Sequence, residues 1–138
     1  MRRALALALL LATPAAAQDV GPLLAQTLGA NAVQYVWLPD SADPGRMTEA
    51  VGVAYLEIAG AAGNTEIAVG YYRMGAQDIV FVGPVAELYG ANPRDPRFLP
   101  DRIEITTTMP GPNDPRCCPT ATADWSIDRQ TLTAQRTR

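Results

Sequence analysis

Polar and apolar positions change their period once along this chain. Between Pro22 and Leu28 the residues Leu23, Leu24 and Leu28 share one stripe of a helix, with Pro22 suited to a first helical position and Gly29 to a left-handed C-cap. Asp19 complements the positive end of that helix. From Val33 onward a period of two takes over. Tyr35 and Trp37 point to one side and Val36 and Leu38 to the other, and a strand apolar on both faces predicts burial on both faces.

The Pro, Gly, Asp and Ser content of Asp40 to Arg46 predicts a loop. The run Ala50 to Ala59 is compatible with strand or helix, but Val51, Val53 and Tyr55 alternate with Gly52, Ala54 and Leu56, which favours strand. Thr65 to Met74 and Asp78 to Gly83 form a hairpin closed by Gly75-Ala76-Gln77, with Ile79, Phe81 and Gly83 on one face and Val80 and Val82 on the other. A long connection follows from Pro84 to Pro100, holding four prolines and one helical turn at Val85 to Tyr89. Connections of that length either bind something or pack as ordered loops, and packing is the expectation here. Arg102 to Thr108 reads as a strand with Ile103 and Ile105 on one face, and Pro110 to Pro119 as a stiff segment with four prolines. A last hairpin joins Ala123–Ile127 to Leu132–Arg136 around Asp128-Arg129-Gln130, turning Trp125 and Ile127 toward the core. The fold class that results is α+β: about seven short strands in a mostly antiparallel sheet, with one N-terminal helix on a face. An all-β sandwich or barrel is the alternative.

Composition changes this picture at the N-terminus. Arg2 and Arg3 precede an apolar run from Ala4 to Ala12, and Pro14 leads into Ala15-Ala16-Ala17, the pattern of a signal peptide over residues 1–17 cleaved before Gln18. The run is about half the roughly 20 residues of a membrane-spanning helix, and the arginines read as a simple positive leader rather than a twin-arginine signal. A periplasmic location and no membrane span are therefore expected. The remaining 121 residues, 18–138, make one domain. It carries nine arginines against 14 acids, a formal charge of −5, which argues against a nucleic-acid partner.

The chain has no histidine and no lysine. Ser-His-Asp and Cys-His catalysis, histidine metal sites, Schiff-base chemistry and the phosphate-loop lysine are excluded together. A carboxylate pair remains available among the 14 acids, but no spacing designates one. Trp37, Tyr71, Tyr72 and Trp125 are candidates for a ligand site, although aromatics at alternating strand positions are more commonly core. No cofactor and no metal is expected, and no residue is assigned a catalytic role.

The chemistry that stands out is Cys117-Cys118, both cysteines of the chain on neighbouring residues. Export favours a disulfide, yet neighbouring Cα atoms lie about 3.8 Å apart, below the usual disulfide range, so the ring is strained and more easily reduced. Pro119 favours an extended Cys118, which would turn the two side chains to opposite sides, one buried and one exposed. Four uses are open: a disulfide or buried thiol pair that fixes the Pro-rich loop, intermolecular pairing, soft-metal binding of the Cu(I) type, and redox catalysis with Arg116 stabilising a Cys117 thiolate. Met109 is the only methionine near in sequence. "NPRDPR" at 92–97 and "NDPR" at 113–116 repeat one Asp-Pro-Arg turn chemistry, explained by turn formation alone. Its functional version has Asp114, Arg116 and Arg97 supporting the loop or converging on an anion.

The words "FVGPVAELYGANPRDPRF", "DRIEITTTMPGPNDPRCCPT" and "DWSIDR" resemble those of a group of small uncharacterised secreted bacterial proteins that share a "DPRCCP" element before a terminal hairpin. The resemblance covers about the last sixty residues, is most specific over Asp114 to Thr120, and implies a periplasmic protein with no catalytic residue to carry over. The expected function is a periplasmic binding or envelope-associated accessory module whose Pro-rich loop is organised by Cys117 and Cys118, acting on a small molecule or an envelope protein as a monomer or weak oligomer. The alternative is a thiol-based redox or soft-metal-handling protein using the same two residues.

Overall fold

In the computed structural model, which describes residues 19–138, the change of period falls where the sequence places it. One helix, α1 (Gly21–Leu28), is followed by eight strands: β1 (Ala32–Pro39), β2 (Glu49–Glu57), β3 (Thr65–Met74), β4 (Ile79–Pro84), β5 (Ala91–Phe98), β6 (Arg102–Met109), β7 (Ala121–Asp128) and β8 (Ala134–Arg136). The fold is α+β and mostly antiparallel, with eight strands rather than seven, arranged as two sheets ordered β1-β2-β3-β4 and β5-β6-β7-β8. Within each sheet every strand pairs only with its chain neighbours, and β4 and β5 are not paired. The signal-peptide expectation for residues 1–17, and the cleavage before Gln18, lie outside the described residues.

The two sheets pack face to face. Val51, Val53, Val69 and Tyr71 of the first meet Ile103, Ile105, Ala123, Trp125 and Ile127 of the second, closed at one side by Leu88, Leu132 and Ala134. Thr107 is the one polar residue fully buried there, and its hydroxyl accepts the Trp125 indole N–H at 2.8 Å, so its burial leaves nothing unsatisfied. Val36 and Leu38 of β1 pack against this core, while Trp37 turns to the opposite face and meets Tyr72 edge-on at 5.1 Å. The alternation read in β1 is thus realised, but the expected burial on both faces is not: β1 is an outer strand, and its residues are half-buried or exposed.

On that opposite face α1 lies over β2 and β3. Gly52 and Gly70 are paired across the two strands, and the bare backbone between them is where the helix docks. A Cβ on Gly52 would collide with Leu24 and stand 2.7 Å from the Tyr72 ring, and one on Gly70 would stand 2.8 Å from Phe81 and 3.0 Å from Leu28. Thr27, between the two leucines, shares a 2.6 Å hydrogen bond with the Tyr72 hydroxyl and returns its own proton to Leu23 O at 2.7 Å. The docking stripe is therefore Leu24, Thr27 and Leu28 rather than three leucines. Asp19 Oδ1 accepts the Gly21 N–H at 3.0 Å. Gly29 closes the helix at φ 138°, ψ 126°, a positive φ outside the left-handed helical region that the sequence predicts.

The connection Pro84 to Pro100 is not a loop throughout: its second half holds β5, Ala91–Phe98. Ala91, Arg94 and Arg97 stand opposite Thr108, Thr106 and Glu104, so three residues of β5 face two of β6, twice in succession. Asn92 and Asp95, each before a proline, take up the extra length with φ of 48° and 53°, which short polar side chains tolerate. Two prolines are accepted because β5 is an outer strand, where a missing N–H costs no ladder bond. The "NPR" and "DPR" words are consecutive bulges, not turns. The Val85–Tyr89 turn is also replaced, by a parallel bridge of Ala86 to Thr133 that carries the chain from one sheet to the other. In β4 a bulge at Val82 sets Phe81 opposite Tyr72 but Gly83 opposite Tyr71, so Gly83 faces the inter-sheet core, not the side of Phe81.

Gly70→Ala is expected to cost about 1–3 kcal/mol, the range for overpacking, because the new methyl meets Phe81, Leu28 and Tyr72 together. Urea denaturation checks this; a loss within about 0.5 kcal/mol, as at an ordinary surface site, would show that α1 does not need the bare backbone.

Candidate functional site

Three places hold chemistry. The first is the loop Pro110 to Thr120, which joins β6 to β7. Asp114 organises it from within: one carboxylate oxygen accepts the Gly111 N–H at 2.7 Å and the Thr120 N–H at 2.6 Å, and the Thr120 hydroxyl adds a bond of 2.9 Å to the other oxygen. The Gly111 and Thr120 amides hold the Asp114 carboxyl below its ordinary value. Cys118 N–H donates to Pro115 O at 3.0 Å, making a turn over Arg116 and Cys117. At its tip the Cys117 and Cys118 sulfurs lie at disulfide distance, with Cα atoms 3.8 Å apart. Both residues are exposed, so the split into one buried and one exposed side chain is not what the fold produces. The turn keeps Cys117 from being extended and brings both sulfurs to the surface together.

The other residues singled out with this loop are distributed unevenly. Arg116 is exposed on the same turn. Arg97 pairs with Glu104 at 3.1 Å on the outer face of the second sheet, five residues along β6 from the loop, or about 17 Å at roughly 3.3 Å per residue. The two arginines do not converge. Met109 turns its sulfur toward Gly90 and packs on the inter-sheet core, not on the cysteines. Among the described residues no group of three or more cysteines and acids is placed to hold a metal ion.

The second place is the end of the sandwich beneath the loop, where a cleft of about 510 Å³ opens between the sheets. Ile67, Val85 and Leu88 are its apolar surface, and Pro110 and Pro119, the two ends of the cysteine loop, form one wall. Glu66, Glu87 and the exposed Tyr89 stand at the rim, with the Tyr89 hydroxyl donating to Glu87 Oε2 at 2.6 Å. Glu87 sits at φ 62°, an uncommon conformation for a side chain of its size. No basic residue lines the cleft, so its field disfavours anions. Trp37, Tyr71, Tyr72 and Trp125 take no part in it. Tyr71 and Trp125 lie between the sheets, Tyr72 beneath α1, and Trp37 borders a separate apolar pocket of about 200 Å³ with Met47, Met74 and Ile79.

The third place escaped sequence analysis altogether. Arg129, in the β7–β8 turn, reaches across to the first sheet and grips both oxygens of Glu49, at 2.6 and 2.8 Å. It also donates to Leu99 O at 2.6 Å and to the Tyr71 hydroxyl at 2.7 Å. Tyr71 donates to Glu49, and Arg73 donates to Tyr71 at 2.8 Å. Arg129 and Glu49 are 12% and 16% exposed, so this is a nearly dry clasp between sheets. Burial alone would raise the Glu49 carboxyl, but hydrogen bonds from Arg129 and Tyr71, with the Arg129 charge, outweigh it and hold it low. Tyr71 is pushed up, first by burial and then by Glu49. Nothing in the spacing could have joined residues 80 apart; the only signal is an arginine in a turn that polar solvation alone does not require. Among the described residues no fully buried side-chain nitrogen or oxygen lacks a partner, and four of the five Arg129 N–H groups are bonded within the clasp, which marks it as structural rather than reactive.

Comparison with protein-family models, curated proteins and solved structures yields no match for this chain.

Glu49→Gln is expected to cost about 2–3 kcal/mol, less than the 3–5 kcal/mol typical of a fully buried broken pair because both groups keep some water contact. The pH dependence has a definite sign. The Glu49 carboxyl titrates below its unfolded value near 4.5, so the clasp contributes fully above that pH and fades as pH falls through the lower native value. Thermal denaturation of wild type and Glu49→Gln across pH 3–7 checks both statements: their difference should shrink in acid, and a gap constant with pH would contradict the linkage.

Proposed function

We propose that this chain is a periplasmic, envelope-associated binding module whose cysteine loop shapes a ligand cleft at one end of a rigid sandwich. One observation carries the reading: Pro110 and Pro119, the two ends of the Cys117–Cys118 loop, are a wall of the cleft rimmed by Glu66, Glu87 and Tyr89. A disulfide that stiffens the loop therefore stiffens the cleft. The ligand class that suits the lining is neutral or cationic with an apolar body, a small molecule or the side chain of an envelope protein. Export rests on the positive leader, apolar run and Ala-Ala-Ala of the sequence, and the likeness to small secreted proteins with a "DPRCCP" element points the same way.

A second reading, thiol-based redox chemistry, is favoured by the exposure of both cysteines, which leaves them open to a reductant. The soft-metal version has less support, because Met109 is turned away.

Two measurements test the proposal. Phenethylamine, a small organic cation with an apolar ring, should shift the amide resonances around Glu66, Glu87 and Gly90 in a saturable way, and Cys117→Ser/Cys118→Ser should weaken that binding several-fold while leaving the melting temperature within a few degrees. Saturation elsewhere, or a double variant that binds as wild type does, would sink the loop-shaped cleft. A disulfide reduction potential well above about −300 mV would move the balance to the redox reading. Cell fractionation with an N-terminal mass checks the compartment: the expected species is periplasmic and begins at Gln18, and a cytoplasmic full-length chain would contradict it.

A further inference from the structure

A two-sheet sandwich has four outer strands, and each presents alternate N–H and C=O groups that a further strand could accept. Three of the four are protected here. Strand β5 has two prolines, two bulges and the charges of Arg94, Asp95 and Arg97 along it. Strand β8 is three residues long and ends in Arg136. Strand β1 ends in Pro39 and lies against β5.

Strand β4 is the least protected: it ends in Pro84 as β1 ends in Pro39 and has one bulge, but it is longer than β8, is free of the charges of β5 and has no proline before its last residue. Residues Ile79 to Gly83, Ile-Val-Phe-Val-Gly, include no charge and no proline, and Val80 and Val82 are 51% and 46% exposed. The bulge at Val82 adds twist but no polar group. We infer that β4 is a self-association edge, which takes β4 of a second copy of this chain in antiparallel register to form a continuous eight-stranded sheet across a two-fold axis.

The sequence of the strand favours a copy over an unrelated segment. An antiparallel two-fold centred on Phe81 places Val80 of each copy opposite Val82 of the other, so the two exposed valines cover each other twice. Asp78 of one copy then falls opposite Pro84 of the other, and no like charges meet although the chain is acidic overall. The contact is short. It falls below the roughly 1,200–2,000 Å² of a standard interface, which predicts a weak dimer in the micromolar to millimolar range.

Sedimentation velocity of the purified protein from low micromolar to near-millimolar concentration tests this. The weight-average mass should climb toward twice the monomer, and Val80→Lys and Val82→Lys should each keep it at the monomer over the same range, with circular dichroism and melting temperature as in wild type. Mixed-isotope samples should show intermolecular contacts between Val80 and Val82 methyls. A wild type that stays monomeric throughout overturns the inference, even if β4 captures an extended segment of another protein. Lysine variants that dimerise as wild type does overturn it equally, and if either lysine variant fails to fold, Val80→Thr with the methyl contacts decides the same question.

Discussion

Strands β2 and β3 must be covered on both faces, and most of the architecture follows from that requirement. Their odd-numbered residues, Val51, Val53, Val69 and Tyr71, look into the second sheet, and Ala50, Gly52, Ala54, Gly70 and Tyr72 look toward the helix. One face is built of branched and aromatic side chains and the other, Tyr72 apart, of small ones. A sheet of four strands, with β2 and β3 roughly 30 Å long at about 3.3 Å per residue, has room for one short helix on its second face, and α1 reaches it only because Gly52 and Gly70 leave the backbone bare. Tyr72 and Phe81, 5.2 Å apart, fill the space beside the helix.

The clasp of Arg129, Glu49 and Tyr71 solves a different problem. Apolar side chains between two sheets tolerate sliding, because dispersion and burial are nearly non-directional. A guanidinium that must satisfy a carboxylate, a phenol and the Leu99 carbonyl together tolerates very little. A nearly buried ion pair adds little net stability over a well-packed apolar substitute, so its contribution is best understood as fixing how one sheet sits on the other. The same division of labour recurs at the other end of the sandwich, where Asp114 shapes the cysteine loop by directed bonds to Gly111 and Thr120.

Local pattern made most of the elements legible in the sequence. The alternation of Val51, Val53 and Tyr55 identifies β2 against a helical reading, and Trp125 and Ile127 are inward because their spacing says so. The helix and mostly antiparallel sheet were legible for the same reason. β5 was not, because "ANPRDPRF" has the composition of a loop and pairs only through two bulges that its prolines and its edge position permit. The face of Gly83 was missed for a related reason: one extra residue at Val82 inverts the alternation beyond it. Within the candidate site the cysteine pair and Asp114 were visible as a local motif, while the cleft was not. It is assembled from β3, the Val85–Ala91 segment and both ends of the cysteine loop, and no single stretch of sequence holds more than a part of it.

The pairing of chain neighbours within each sheet also sets an order in time. Hairpins of such short span close early, because the entropy of bringing their ends together is small. The first sheet is complete by Pro84 and needs nothing from the residues after it for its own ladder, yet one of its faces stays wet until β6 and β7 arrive. The contact between Glu49 and Arg129 spans the longest loop of the clasp, and Arg129 lies in the turn of the last described hairpin, β7–β8. A chain that emerges from its N-terminus onward therefore holds an unsealed, apolar half until its final hairpin is delivered, and truncation near the C-terminus removes the seal before it removes the sheets.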